Sequence, residues 1–208
     1  MNTLLRDVRS PRWPDSAPVV ALLLHGYGSN EHDLAQLAPA LSLTVPWASM
    51  RAPLKLGPGA AWFEITTPGS PDRRVVEDAT DTIWAWVEAH LDAATRVLPI
   101  GFSQGGLMAS QLLRTRPERV VAPVILGGFV LGAPQPADGI LAETRPPLFC
   151  GRGAEDRVIA AAAVERTDSW LPQHTTPTSR VYPRLGHSIN AAEVDDVKSF
   201  LAEHVPQE

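Results

Sequence analysis

The stretch Leu98-Pro-Ile-Gly-Phe-Ser-Gln-Gly-Gly-Leu-Met-Ala-Ser110 joins two kinds of pattern at one serine. Before Ser103 the residues are apolar and continuous, which predicts a strand over Arg96–Gly101. After it, apolar residues recur at helical spacing, which predicts a helix from Gly105 to Arg114, stopped before Pro117. Gly101-Phe102-Ser103-Gln104-Gly105 is therefore G-x-S-x-G at a strand-to-helix junction. A serine displayed on a sharp turn needs small residues on both sides, because side chains there would strike the neighbouring backbone.

The same alternation runs outward in both directions. Val19–Leu24 reads as a strand buried on both faces, and Trp47–Met50 as a weaker one. Between them, Leu34, Leu37 and Leu41 sit at helical spacing, with Asn30 and Asp33 as a helix start. Residues 51–73 read as a long Pro- and Gly-rich loop. A helix follows from Val75 to about Ala93, with Ile83, Trp84, Val87 and Leu91 on one side.

Downstream, residues 120–130 read as a strand dented by Pro123, and Leu148–Gly151 as another. Ile159–Leu171 reads as a helix and Ser179–Tyr182 as a strand. A last helix runs from near Asn190 to about His204, opened by Asn190 and Glu193 at capping-box spacing. Strands alternating with helices predict an α/β fold, a mostly parallel sheet covered on both faces, in one domain over residues 1–208. Only 17 residues separate Val130 from Leu148, too few for a cap domain. In such sheets ligands bind beyond the carboxyl ends of the strands, where the Ser103 turn lies.

Composition narrows the class. The 208 residues carry a formal net charge of -5 and no basic cluster, which excludes a nucleic-acid or anionic-membrane face. Cys150 is the only cysteine, so no intrachain disulfide forms and a cytoplasmic location is expected. The first twenty residues lack the apolar run of a signal peptide, and no segment is apolar for long enough to span a bilayer.

A serine nucleophile needs a base, and the base needs an orienting acid. Of the six histidines, three follow Ser103. His174 and His204 fall in polar or terminal helical surroundings. His187 falls in a loop between the last strand and the last helix, beside the serine turn. The acid belongs on a loop after the penultimate strand, where Glu155 and Asp156 both stand; Asp156, just before the apolar Val158-Ile159, is favoured. One oxyanion donor is the backbone N–H of Gln104 at its helix start, and the other the N–H of Tyr27, held open by Gly26 and Gly28. His25 is expected to shape that turn by hydrogen bonding. No HxH or HExxH spacing supports zinc, and neither metal nor cofactor is expected.

The ordered set HGYGSNEHDL, RAP followed by AWFE, GFSQGG, RGAEDRVI and GHSI resembles the phospholipase/carboxylesterase family of α/β-hydrolases, which includes acyl-protein thioesterases and small bacterial carboxylesterases. The resemblance implies the α/β-hydrolase fold, with Ser103, Asp156 and His187 as catalytic triad and Tyr27 and Gln104 as oxyanion hole. Arg152 stands where the family usually has His, and Ala160 where Pro is common. The family's cysteine-nucleophile relatives are excluded, since Cys150 lies outside the turn.

The implied activity is hydrolysis of carboxylic esters or thioesters of short to medium acyl chains through an acyl-enzyme. Trp62 and Phe63 are expected to line the acyl pocket. The alternatives are a non-catalytic small-molecule-binding protein and a peptidase of the same fold. The expected partner is the small-molecule substrate, with no nucleic acid and no membrane span; assembly is left between monomer and homodimer.

Overall fold

The computed structural model describes residues 5–11, 13–14 and 16–205. Seven strands form the central sheet: β1 (Asp7–Arg9), β2 (Val19–Leu24), β3 (Trp47–Met50), β6 (Arg96–Phe102), β7 (Val124–Leu126), β8 (Pro147–Gly153) and β9 (Thr176–Tyr182). Their spatial order is β1-β3-β2-β6-β7-β8-β9. All neighbours pair in parallel except β1, which runs antiparallel on β3 and was not expected from sequence. Strands β4 (Leu54–Leu56) and β5 (Gly59–Ala61) make a separate hairpin.

The continuous apolar run of β2 explains the layering. Val20, Leu22 and Leu24 face one way and pack with Ile83, Trp84, Leu107 and Leu112. Those residues come from α2 (Arg73–His90) and α3 (Gln104–Thr115). On the same side lie Leu141 of α4 (Asp138–Thr144) and Leu171 of α5 (Ala161–His174). Val19, Ala21 and Leu23 face the other way, toward Ala38 of α1 (Leu37–Ala40) and Phe200 and Leu201 of α6 (Ala191–His204). Side chains alternate across a strand, so a strand covered on both faces must be apolar throughout.

Several expectations are corrected. The helix expected after Asn30 is broken: Leu34–Gln36 forms a 3-10 turn and α1 only four residues, interrupted by Pro39. Asn30 Oδ1 accepts from the His32 N–H and caps no long helix. The strand expected over 120–130 shrinks to three residues. Ala122 has φ 43° and Gly127 φ 53°, backbone that no strand sustains, and Pro123 stands between them. Residues 51–73 hold the β4–β5 hairpin rather than a plain loop. The segment before β8 carries the two-turn α4 and no cap.

The chain passes from β2 outward to β3, then returns to β6 and continues outward the other way. The switch point lies between β2 and β6, where an open α/β sheet leaves a crevice at the strands' carboxyl ends. The loop after β2 and the turn after β6 therefore meet.

Candidate active site

Ser103 sits between β6 and α3 with φ 55° and ψ −115°, a sparsely populated conformation for a residue with a side chain. The flanking glycines make this turn sterically possible. A Cβ on Gly101 would lie 2.0 Å from the Gly105 carbonyl oxygen, and one on Gly105 only 1.9 Å from that of Leu24. The serine amide is anchored by donation to the Leu126 carbonyl at 2.8 Å.

The Ser103 hydroxyl lies 2.9 Å from His187 Nε2, and His187 Nδ1 lies 2.7 Å from Asp156 Oδ2. A carboxylate accepts, so Nδ1 carries the proton and Nε2 is free to accept from the serine O–H. The other Asp156 oxygen accepts from the N–H groups of Val158 and Ile159, at 2.8 and 3.2 Å. The carboxylate is thus held by three donors and its side chain is only 7% exposed.

Glu155 does not compete. Its side chain is exposed, and its part is a backbone N–H donated to the Leu185 carbonyl at 2.9 Å. With Ala154 N–H donating to the Tyr182 carbonyl, this stitches the acid loop to the histidine loop. Gly153 permits the close approach: a Cβ there would lie 2.1 Å from the Leu185 carbonyl oxygen. Arg152 turns away and pairs with Asp168 at 2.8 Å. Phe102 packs tilted against the His187 ring, with centroids 4.9 Å apart.

The loop after β2 faces the serine. A Cβ on Gly26 would lie 3.4 Å from Ser103 Cβ, so the loop that carries Tyr27 packs against the serine turn. His25, fully buried, fixes this loop. Its Nε2 accepts from the Ala52 N–H at 3.1 Å, so Nδ1 is the protonated nitrogen and donates to the Gly26 carbonyl at 2.7 Å. Burial lowers its pKa, keeping the ring neutral.

The β4–β5 hairpin braces the same loop. Gly28 N–H donates to Ala60 O and Ala60 N–H to Ser29 O, at 2.9 and 2.7 Å. Arg51 holds the hairpin by its carbonyls at Pro58 and Gly59 and pairs with the buried Glu31 at 2.8 Å. Sequence reading missed this brace, although Gly57-Pro58-Gly59 is turn chemistry and signals it.

A cavity of about 180 Å³ opens beside Ser103 and Gln104, walled by Phe63, Ile65, Pro68, Pro71, Phe129 and Ile159. Phe63 stands on it as expected. Trp62 does not, and that expectation is corrected. The indole is buried behind the wall, donates from Nε1 to the His25 carbonyl at 2.9 Å and packs tilted on the His25 imidazole. A buried indole N–H needs an acceptor, and the His25 carbonyl after β2 supplies it. Phe129 and Ile159 were missed because they are remote in sequence from the serine. Burial raises the Cys150 thiol to about 12, an inert core position. Among the described residues no cluster of three or more His, Cys, Asp or Glu side chains is placed to hold a metal ion.

Comparison with known proteins agrees over the full length. Acyl-protein thioesterase 1 of Mycosarcoma maydis is 26% identical over 243 residues, taking in 99% of each chain. Lysophospholipase-like protein 1 of Mus musculus is 27% identical over 227 residues, 99% of this chain and 94% of the mouse protein. The Bacillus cereus carboxylesterase superposes with TM-score 0.81 over 97% of this chain and 95% of its own, at 22% identity, a likeness of fold. The Phospholipase/Carboxylesterase family model matches residues 6–205, so this chain, with its α/β-hydrolase fold, belongs to that family and is a hydrolase.

Proposed function

We propose that the protein is a serine hydrolase, a single domain over residues 1–208, that cleaves carboxylic esters, and thioesters by the same chemistry, of short to medium acyl chains. The observation that carries this reading is the hydrogen-bonded chain Ser103–His187–Asp156 on a strained turn. His187 Nε2 takes the hydroxyl proton as Ser103 Oγ attacks the acyl carbon. Asp156 holds the imidazole in the tautomer that can accept and stabilises the imidazolium that forms.

The developing oxyanion is received by the backbone N–H groups of Gln104 and Tyr27. Gln104 opens α3, where the first N–H groups have no intrahelical partner and the helix dipole favours negative charge. His187 then protonates the leaving alcohol or thiol. A water, deprotonated by the same nitrogen, releases the acid from Ser103. The balance closes with water as the only co-reactant.

The small apolar cavity suits a short to medium acyl chain, and the small-molecule ester or thioester is the proposed partner. Cysteine usage supports work in the cytoplasm: Cys150 stands alone and buried.

A fluorophosphonate probe followed by peptide mapping tests the reading. A stable adduct on Ser103, lost in Ser103→Ala, is the expected result. Folded protein that forms no adduct overturns it in favour of a binding module on the same fold.

A further inference from the structure

We propose that Arg166, which makes no contact with Ser103, His187 or Asp156 in the bonds that fix it, is the positioning residue that sets acyl-chain selectivity by tying together two segments of the cavity wall. The inference rests on the hydrolase reading above.

Arg166 lies midway along α5, half-buried, and its guanidinium reaches two separate loops. Nη2 donates to the Gly69 carbonyl at 2.7 Å, and Nε donates to the Val130 carbonyl at 2.9 Å. Gly69 lies between Pro68 and Pro71 on one wall. Val130 follows Phe129 on the other. The guanidinium also sits 5.9 Å from the Phe129 ring centroid, over the side chain that faces the acyl group.

The next residue completes the grip. Val130 N–H donates to Thr167 Oγ1 at 3.0 Å, while that hydroxyl donates to the Ala163 carbonyl. Both polar groups of Val130 are thus held by consecutive residues of one helix, which leaves Phe129 little freedom. In the other segment Gly69 has φ 73° and packs so closely on the helix start that a Cβ would lie 2.8 Å from Ala160 Cβ and 3.0 Å from Ala163 Cβ. The same helix start carries Ile159, whose N–H is bound to Asp156. Helix α5 therefore connects both walls to the proposed catalytic acid, and Arg166 bonds to each.

A planar fork with a charge-assisted bond to each loop is hard to replace. Lysine carries one ammonium and satisfies the two carbonyls poorly at once, and glutamine is too short for both. Loss of the fork lets the walls move apart. A chain long enough to touch both walls then loses the same contact in the bound substrate and in the transition state, whereas an acetyl group, too short to reach them, loses nothing.

The test is a series of p-nitrophenyl esters from acetate to octanoate with wild type, Arg166→Lys and Arg166→Gln, with folding checked by thermal unfolding. The ratio of kcat/KM for the preferred chain over acetate should fall about tenfold in Arg166→Gln and less in Arg166→Lys. The loss should appear mainly in KM for the longer ester, with kcat on acetate within about threefold of wild type. A merely structural role would reduce the folded fraction and scale every ester alike. An unchanged ratio in folded variants whose Ser103 still takes the fluorophosphonate overturns the Arg166 assignment alone. Wild type that takes no label overturns the hydrolase reading and this inference with it.

Discussion

The side-chain amide of Gln104 clamps the backbone at Trp62: its Oε1 accepts from the Trp62 N–H at 2.8 Å, and its Nε2 donates to the next carbonyl, Phe63 O, also at 2.8 Å. The residue that follows the proposed nucleophile thus holds the segment that walls the cavity beside Ser103. All of these groups are buried, so removing the amide leaves a donor and an acceptor without partners. Each costs about 1–3 kcal/mol. Gln104→Ala should therefore lose about 2–5 kcal/mol in urea unfolding. Its backbone N–H survives, so activity on acetate should suffer much less than stability. A loss of stability below about 1 kcal/mol would show that the clamp is replaced by water.

Within the proposed triad the expected losses differ by position. Ser103→Ala should fold and show no turnover of p-nitrophenyl acetate, since the turn keeps its glycines. Asp156→Asn should keep the fold and fall by about 10⁴-fold in kcat, through the wrong imidazole tautomer. Glu155→Gln should stay near wild type, because Glu155 serves through its backbone. The reverse order for the last two would move the acid to Glu155.

The turn itself makes a sharper demand. Gly105→Ala places a methyl 1.9 Å from the Leu24 carbonyl oxygen and 2.7 Å from that of His25, both backbone, with nothing flexible to yield. The expected cost exceeds about 4 kcal/mol, and the variant should be recovered unfolded or aggregated. Gly139 is the control. It lies within α4 with nothing within 4 Å of the added Cβ. Gly139→Ala should stabilise by about 0.5–1 kcal/mol. Equal behaviour of the two in thermal unfolding would refute the steric account of the elbow.

Legibility followed the range of the interaction. The strand of Val19–Leu24, the Ser103 turn and the Asn190 cap depend on neighbours in sequence and were readable from it. Asn190 Oδ1 accepts from Glu193 N–H at 2.9 Å, as the spacing implied. Gly57-Pro58-Gly59 marks the turn of the β4–β5 hairpin, but the partners that hold it, Arg51 with Glu31 and the Gly28–Ala60 bonds, are remote in sequence. Trp62 was misread for the same reason. An aromatic residue near a site looks like a pocket wall, and only the buried acceptor at His25 O turns it inward. Asp156 was favoured over Glu155 from its place just before Val158-Ile159, and it is the Asp156 carboxylate that meets His187 Nδ1, at 2.7 Å.

Glu193 carries the last prediction. It is 1% exposed on α6, just beyond the His187 loop, and neither carboxylate oxygen has a hydrogen-bond partner. The missing side chain of Gly151 gives it room: a Cβ there would lie 2.1 Å from Glu193 Oε1. Burial, and then the nearby Asp196, raise its pKa from 4.5 to about 7. Asp196 is itself bound by the Tyr182 hydroxyl at 2.9 Å and flanked by Arg180, the buried Cys150 thiol lies close by, and among the described residues no cation pairs with Glu193. With the folded pKa above the unfolded one, the native state keeps a proton that the unfolded chain releases between those values. Stability contributed by this group is therefore full below pH 4.5, declines through that window and is gone above pH 7. The full swing is of the order of 3 kcal/mol. Glu193→Gln removes the titration while keeping the shape. Its stability relative to wild type should rise as urea unfolding is repeated from pH 4.5 to about pH 7 and level off by about pH 8. A difference between the two proteins that stays flat across that range would mean that Glu193 remains ionised throughout and finds a partner in solution.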